Sequence, residues 1–127
     1  MRLIIVCDEP LATRRLRSEL SNCPAETVCV TNLEELKDAC EAPYELALIN
    51  VAQAELVKCL RIIRGGRFGA SCRVLIASER LSRGRELAGI LPKLRAMPCI
   101  HGDLVKLARW LITGGREEWR GRSLCPL

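Results

Sequence analysis

The sequence predicts an α/β fold in which a five-stranded parallel sheet is doubly wound, with helices packed on both of its faces. Strand-like aliphatic runs and amphipathic helical stripes alternate along the whole 127-residue chain. Helices between successive strands imply right-handed βαβ crossovers, which give a three-layer (βα)5 sandwich. Hydrophobic residues make up 49% of the chain, enough for the core of one compact domain. We predict that domain over residues 1–112 and a C-terminal tail over 113–127.

Apolar runs predict the strands. The first, LIIV, is continuous, as expected of a strand that is buried on both faces of a parallel sheet. The fifth is short and has the least regular pattern. The predicted strands cover residues 3–6, 27–30, 45–51, 72–77 and a short part of 93–99.

Apolar residues at helical spacing predict the intervening helices. Leu11, Leu16 and Leu20 form the inward stripe of the first helix. Asn32 and Asp103 are the predicted N-cap residues of the second and fifth helices. A glycine pair at 65–66 ends the third helix. The predicted helices cover residues 11–20, 33–40, 54–64, 83–91 and 104–112.

Eight cysteines in so short a chain would indicate a disulfide scaffold in a secreted protein, but the sequence has no Cys-x-x-Cys pair and no secretion signal. No apolar stretch approaches the roughly 18 residues that span a bilayer. Most of the cysteines lie in strand-like or amphipathic runs, where a thiol packs as a small hydrophobe. We therefore expect a cytoplasmic protein without membrane segments, whose thiols are buried and reduced.

The net charge of +5 comes from 20 Lys and Arg against 15 Asp and Glu, and it favours acidic partners. The arginines are dispersed rather than gathered in one run. Two Trp, one Tyr and one Phe give no platform on which single-stranded nucleic acid could stack. The composition therefore argues against a nucleic-acid partner, and the arginines are interpreted as a solvated surface.

Polar residues stand where two of the predicted strands end. Cys7, Asp8 and Glu9 follow the first strand, and Asn50 ends the third. Parallel strands deliver their carboxyl ends to one edge of the sheet, which is where open α/β sheets bind ligands. These residues are therefore predicted to form the site. A carboxylate at position 50 would complete a phosphate-accepting or metal-binding cluster, but an amide stands there.

These segments resemble the receiver domains of two-component response regulators. The opening LIIVCDEPLATRRLRSEL is similar to a first strand that ends in two acids followed by Glu-Pro, and YELALINV is similar to the strand that bears the phosphorylated aspartate. VLIAS resembles the strand that ends in Thr or Ser, and Met97-Pro98 stands in the place of a Lys-Pro pair. The matches run over about residues 2–112 in the family's order, and they imply a flavodoxin-like sheet.

Carried over by position, the resemblance implies a degenerate receiver pocket in which most of the reactive groups are replaced. The corresponding residues are Cys7 and Asp8 for the two metal-binding acids, with Glu9 adjacent, Asn50 for the phosphoacceptor, Ser78 for the hydroxyl residue and Met97 for the lysine.

These replacements remove the chemistry of phosphoryl transfer. An amide is neutral and a very poor nucleophile, so Asn50 should not form an acyl phosphate. Asp8 could contribute to no more than a weak magnesium site, since Cys7 and Asn50 stand in place of the other ligands. Asp8 and Glu9 are equally well explained as solvated charges at a helix N-terminus. We predict no enzymatic activity and no cofactor.

Three further residues each have two interpretations. Ser78 at a strand end can hydrogen-bond a loop or act in a switch. His101, the only histidine, is better explained as an exposed loop residue than as a phosphotransfer group. Cys7 lies near a predicted helix N-terminus, where a thiol can sense redox state, or it packs in the core.

The predicted function is that of a signalling module that is not phosphorylated and that binds a protein partner or a second copy of itself. The resemblance implies the face formed by the fourth helix, fifth strand and last helix, where basic residues would favour an acidic partner. The alternative is a small-molecule or nucleotide-binding protein that uses the carboxyl edge, although no Gly-rich phosphate loop follows the first strand. The basic residues of the predicted partner face are Arg83, Arg85, Arg95, Lys106 and Arg109.

Overall fold

The computed structural model describes residues 1–81 and 85–114, without the side chains of Arg85 and Glu86. Arg83 of the predicted partner face and residues 115–127 of the predicted tail lie outside the described residues. No helix in the described ranges combines the length and apolarity needed to cross a membrane. The elements are β1 (Arg2–Cys7), α1 (Pro10–Glu19), β2 (Glu26–Val30), α2 (Leu33–Ala39), β3 (Leu46–Asn50), α3 (Gln53–Gly65), β4 (Arg73–Ala77), α4 (Arg85–Lys93), β5 (Ala96–Cys99) and α5 (His101–Ile112).

The five strands form one parallel sheet in the order β2-β1-β3-β4-β5, which confirms the predicted (βα)5 class. In this flavodoxin-like order the chain leaves β1 toward one side of the sheet and returns at β3 toward the other. A crevice therefore opens between β1 and β3 at their carboxyl ends. The register pairs Cys7 with Asn50 at that point.

The strands direct their side chains alternately into two apolar layers, one on each face of the sheet. On β3, Ala47 and Ile49 belong to the layer covered by α2, α3 and α4, whereas Leu46 and Leu48 belong to the layer covered by α1 and α5. All four side chains are at most 1% exposed. Burial on both faces explains why the strands read as continuous apolar runs.

The start of α2 follows its sequence signals. Asn32 is the N-cap, and its Oδ1 accepts a hydrogen bond of 2.8 Å from the Glu35 N–H. The Glu35 carboxylate accepts from the Thr31 N–H at 3.0 Å and from the Thr31 hydroxyl at 2.7 Å. The bond from Glu35 satisfies one of the N–H donors that a helix start leaves unpaired, and the prediction for Asn32 is confirmed.

Two predictions about helix starts are wrong. Leu11, predicted to face inward, is 78% exposed, because it lies in the first turn of α1 at the rim of the sheet. Asp103, predicted to cap α5, lies inside the first turn, and the N-cap is Ile100. The Glu79 carboxylate accepts a 2.9 Å hydrogen bond from the His101 N–H, so a side chain from another loop serves the start of this helix.

Arginines hold the amino edge of the sheet, which is the edge where the loops leading into the strands lie. Arg64 donates to four backbone carbonyls from two loops, over distances of 2.6–2.8 Å. It follows Leu60 by one turn on the buried side of α3, so its interpretation as a solvated arginine is wrong. The four carbonyls belong to Gly69, Cys72, Leu94 and Arg95.

Arg2, at the start of β1, serves the same edge near the end of α2. Its Nη1 donates over 3.0–3.2 Å to backbone carbonyls at the end of α2 and in the loop that follows, namely those of Ala39, Ala42 and Pro43.

Glycines end α3 as predicted, with Gly66 as the C-cap. In the turn that follows, position 69 has no room for a side chain, so a glycine is required there. A Cβ atom there would lie 1.7 Å from the Ile63 carbonyl oxygen and 2.7 Å from the Tyr44 hydroxyl. The turn can therefore pack against α3 only with a glycine at this position.

No disulfide joins any of the seven described cysteines, and five of them are buried. Burial raises the pKa of the Cys59 thiol to about 11 and also raises the pKa values of Cys40 and Cys72. A raised pKa disfavours the reactive thiolate, so these thiols pack as hydrophobes, as predicted. The buried cysteines are Cys7, Cys40, Cys59, Cys72 and Cys99.

Candidate functional site at the carboxyl edge

The crevice between β1 and β3 brings Cys7 and Asn50 side by side at the ends of their strands. Cys7 is 0% exposed, and its thiol donates to the Glu9 carbonyl at 3.4 Å. The Asn50 Oδ1 atom is buried and has no hydrogen-bond partner among the described residues. A buried acceptor without a donor costs about 1–3 kcal/mol. The fold therefore leaves a neutral oxygen unused at the end of β3.

Asp8 is held by Arg80, which lies in the loop after β4. Arg80 Nη1 bonds Asp8 Oδ1, and Nη2 bonds Oδ2 at 3.2 Å. Nη1 also lies 3.7 Å from the Glu9 Oε1 atom. The hydrogen bond from Arg80 is the main cause that lowers the pKa of Asp8, against partial burial, and the Ala52 backbone N–H lowers it further. Both acids after β1 therefore face one guanidinium.

An open cavity of about 380 Å³, here called the edge cavity, lies beside these groups. Its two arginines are already paired with carboxylates, Arg80 with Asp8 and Arg15 with Glu19. The edge cavity therefore offers no unpaired arginine to an anionic ligand. It is lined by Glu9, Leu11, Ala12, Arg15, Asn50, Ala77, Glu79, Arg80 and His101.

His101 links α5 to the end of α1. Its Nε2 lies 3.1 Å and 3.3 Å from the two carboxylate oxygens of Glu19, and its side chain is only 18% exposed. Arg109 Nε donates to the Glu19 backbone carbonyl at 3.0 Å. The hydrogen bond with His101 is the main cause that lowers the pKa of Glu19. The interpretation of His101 as an exposed loop residue is therefore wrong.

Ser78 and Met97 do not line the edge cavity. Ser78 follows β4 directly, and its backbone N–H donates to the Cys99 carbonyl at 2.8 Å. Met97 lies inside β5 opposite Leu75 and packs in the layer covered by α1 and α5. Asp8 and Glu9, after β1, and Asn50, at the end of β3, therefore lie at the carboxyl edge. Met97 lies two residues before the end of its strand.

Sequence reasoning missed Glu79 and Arg80. Both lie in the loop after β4, where no helical or strand period marks a residue as important. The available signal was topological, because β4 ends at the same edge as β1. Charged residues that follow β4 are therefore expected to lie near Asp8 and Glu9.

A divalent cation does not fit these residues. Magnesium takes oxygen ligands in a nearly octahedral arrangement. Of the three positions that the resemblance assigns to the metal-binding acids and the phosphoacceptor, only Asp8 supplies a carboxylate, and Arg80 bonds both of its oxygens. Within residues 1–81 and 85–114, no three His, Cys, Asp or Glu side chains are placed to hold a metal ion.

The predicted partner face combines basic and apolar side chains. Arg95, Lys106 and Arg109 are exposed there. The Arg95 carbonyl accepts from Arg64 Nη2 at 2.8 Å, so the backbone that leads into β5 is fixed. Ile100, at the carboxyl end of β5, is 59% exposed. These side chains form the described part of the predicted partner face.

A larger open groove of about 560 Å³ lies between the ends of α2 and α3, away from the carboxyl edge. Lys37, Arg61 and Arg67 line it, together with Glu41. The C-termini of both helices carry partial negative charge, and basic side chains near them offset that charge. We therefore attribute the basic lining of the groove to the helix ends.

No protein-family model and no curated protein sequence matches the chain. Among solved structures, the chain is similar to a crystal structure of CapF with the inhibitor 3-isopropenyl-tropolone. The two align with a TM-score of 0.58 and 18% sequence identity, over 79% of this chain. The aligned part spans 30% of the CapF chain. This likeness shows a shared α/β fold.

Proposed function

We propose that the chain is a receiver-like signalling module that is not phosphorylated, has no enzymatic activity and acts by binding a protein partner. One observation carries the proposal: the residue in the phosphoacceptor position, Asn50, has a neutral amide whose oxygen is buried and unpartnered among the described residues. An acyl phosphate forms on an ionised carboxylate, which attacks the phosphorus through its oxygen. The Asn50 amide has no such oxygen to offer.

The sheet topology supports this comparison. Receiver chemistry needs the ends of the first and third strands side by side, and here Cys7 and Asn50 are register partners on β1 and β3. Asp8 follows directly, as in the resemblance. This register supports the proposal that a receiver-like site is kept in position while its reactive groups are replaced.

Since the chain is not phosphorylated in this proposal, its function depends on a surface that binds a protein partner. Arg95 and Lys106 are exposed on the predicted partner face, with the exposed apolar side chain of Ile100 at the end of β5. Basic and apolar side chains exposed on the same face favour a partner with acidic and apolar groups, because opposite potentials speed and orient association. We therefore infer an acidic protein surface as the partner.

Affinity capture with matched charge reversals tests the proposal. The full chain is compared with Arg95→Glu/Lys106→Glu on the partner face and with Lys37→Glu/Arg61→Glu in the groove between α2 and α3. We expect a protein that the wild type and the groove variant retain equally and that the face variant retains at least about tenfold less. Equal retention by both variants, or capture of nucleic acid in place of protein, contradicts the proposal.

A second candidate function is small-molecule binding in the edge cavity, favoured by its volume of about 380 Å³ and by the polar residues in its lining, Asn50 among them. Because Arg15 and Arg80 are paired there, a ligand that donates hydrogen bonds fits this lining better than a phosphate. A thermal-shift screen with nucleotides and with amines separates the two functions. A rise in Tm with an amine that is lost in Asn50→Leu would favour the second.

A further inference from the structure

Arg80 lies where three loops meet at the carboxyl edge. It belongs to the loop after β4 and bonds both carboxylate oxygens of Asp8, in the loop after β1. The backbone N–H of Ala52, in the loop after β3, contributes to the lowered pKa of the same carboxyl. The side chains of Arg80 and Asp8 are 31% and 34% exposed, so the pair is partly shielded from solvent.

The Arg80–Asp8 pair differs from an ordinary surface ion pair because a second carboxylate is close. Arg80 Nη1 also lies 3.7 Å from Glu9 Oε1. One positive charge thus faces two successive acids at the place where the resemblance puts a metal ion. A guanidinium presents its donors in a fixed plane that matches the two oxygens of a carboxylate. Unlike a bound ion, it is covalently attached to its loop and does not exchange with solvent.

We propose that Arg80 is the resident cation of this edge, with its guanidinium in the place of a divalent ion, and that it ties the loop after β4 to the loop after β1. This inference deepens the proposed function and rests on it, because the comparison is with the ion-binding edge of a receiver. The loop that Arg80 anchors leads toward α4, part of the predicted partner face. The module therefore presents this face independently of metal concentration and of any phosphoryl donor.

Manganese binding tests the replacement. Wild type, Arg80→Gln, Asp8→Asn/Arg80→Gln and the matched control Arg61→Gln are titrated with Mn²⁺ alone at low ionic strength, with free ion measured by electron paramagnetic resonance. Arg61 is exposed on α3, so its change removes the same charge elsewhere. We expect Arg80→Gln to bind Mn²⁺ at least about tenfold more tightly than wild type and the control, and the double variant to lose this gain. Equal affinity of wild type and Arg80→Gln overturns the replacement.

Amide hydrogen exchange tests the tether. Arg80→Gln and Asp8→Asn break the same pair from opposite sides, so each checks the other if one variant folds poorly. Both should raise the exchange rates of residues 78–81 at least about threefold, while Arg61→Gln leaves them unchanged. Unchanged exchange in a folded Arg80→Gln or Asp8→Asn protein overturns the tether.

A failure of the role proposed for Arg80 can be distinguished from a failure of the proposed function. Transfer of a phosphoryl group to the wild-type chain would overturn the proposed function, whatever the manganese titration shows. Tight Mn²⁺ binding by the wild type would overturn the role of Arg80 and leave Asn50 just as unreactive.

Discussion

The two edges of the sheet use arginine in opposite ways. At the amino edge, Arg2 and Arg64 donate to backbone carbonyls of the loops that enter the strands, and these bonds fix the loops. At the carboxyl edge, Arg80 bonds a side-chain carboxylate, and Asn50 keeps a buried oxygen without a described partner. Backbone groups have to be satisfied for the fold to form, whereas side-chain pairs can vary without changing it.

The two edges of the sheet also differ in how much apolar side-chain surface they expose to solvent. Among the described residues the most exposed large apolar side chains are Leu11 and Ile100, and both lie at the carboxyl edge, at the starts of α1 and α5. Met1, at the amino edge, is the third and is less exposed. The amino edge is thus held by hydrogen bonds to backbone carbonyls, whereas the carboxyl edge exposes large apolar side chains.

The largest expected effect is at the amino edge. Arg64→Ala removes a charged donor from four carbonyls and should lower the free energy of unfolding by about 4 kcal/mol, because several acceptors in a partly buried setting lose their partners at once. Arg61→Ala, one turn earlier and exposed, should change it by less than about 0.5 kcal/mol. Urea unfolding followed by circular dichroism measures both. Similar small losses in the two variants would break the distinction between the edges.

A smaller effect is expected at the carboxyl edge. Arg80→Leu should lower the free energy of unfolding at pH 7 by about 1 kcal/mol, since both partners are partly exposed and the pair is screened. The folded-state pKa of Asp8 is lowered, so its stabilisation is present above the ordinary value of 3.8 and is lost as pH falls through the lowered pKa. The difference between the two proteins should therefore be constant from about pH 7 to pH 5 and shrink below about pH 4. A difference that persists at about pH 2 would assign the effect of Arg80 to packing.

The smallest effect is expected at Asn50. Asn50→Leu removes an oxygen that makes no described hydrogen bond, so the free energy of unfolding should stay unchanged or rise by up to about 1 kcal/mol. Asn32→Leu is the matched control, because Asn32 caps α2 and its loss should cost about 1 kcal/mol. Thermal and urea unfolding of both variants checks the contrast. A loss of more than about 2 kcal/mol at Asn50 would show that the fold depends on the amide.

The sequence predicted the sheet well because its signals are local. Continuous apolar runs mark strands buried on both faces, and the alternation with helical stripes specifies the crossovers. The fifth strand is shorter than the rest, and its predicted limits were the least precise. It begins at Ala96. Asn32 was predicted correctly because capping depends on residues only three positions apart.

The sequence predicted the site in part, for a physical reason. Asp8 and Asn50 follow apolar runs, and such runs locate the carboxyl edge. Arg80 and Glu79 act on partners 72 and 22 residues away, and no period in the chain encodes those distances. The same holds for His101, whose partner Glu19 is 82 residues away. Arg64 is the exception, since its place on the buried stripe of α3 could have marked it.

The most direct measurement is the intact mass of the full chain after incubation with acetyl phosphate and magnesium, beside a receiver domain that retains its aspartate as the positive control. We expect the mass of this chain to stay unchanged while the control gains a phosphoryl group, because the Asn50 amide cannot act as the nucleophile. A gain of one phosphoryl group by the wild-type chain would show that the module is phosphorylated and would overturn the proposed function. If the gain persisted in Asn50→Ala, the acceptor would lie elsewhere in the chain.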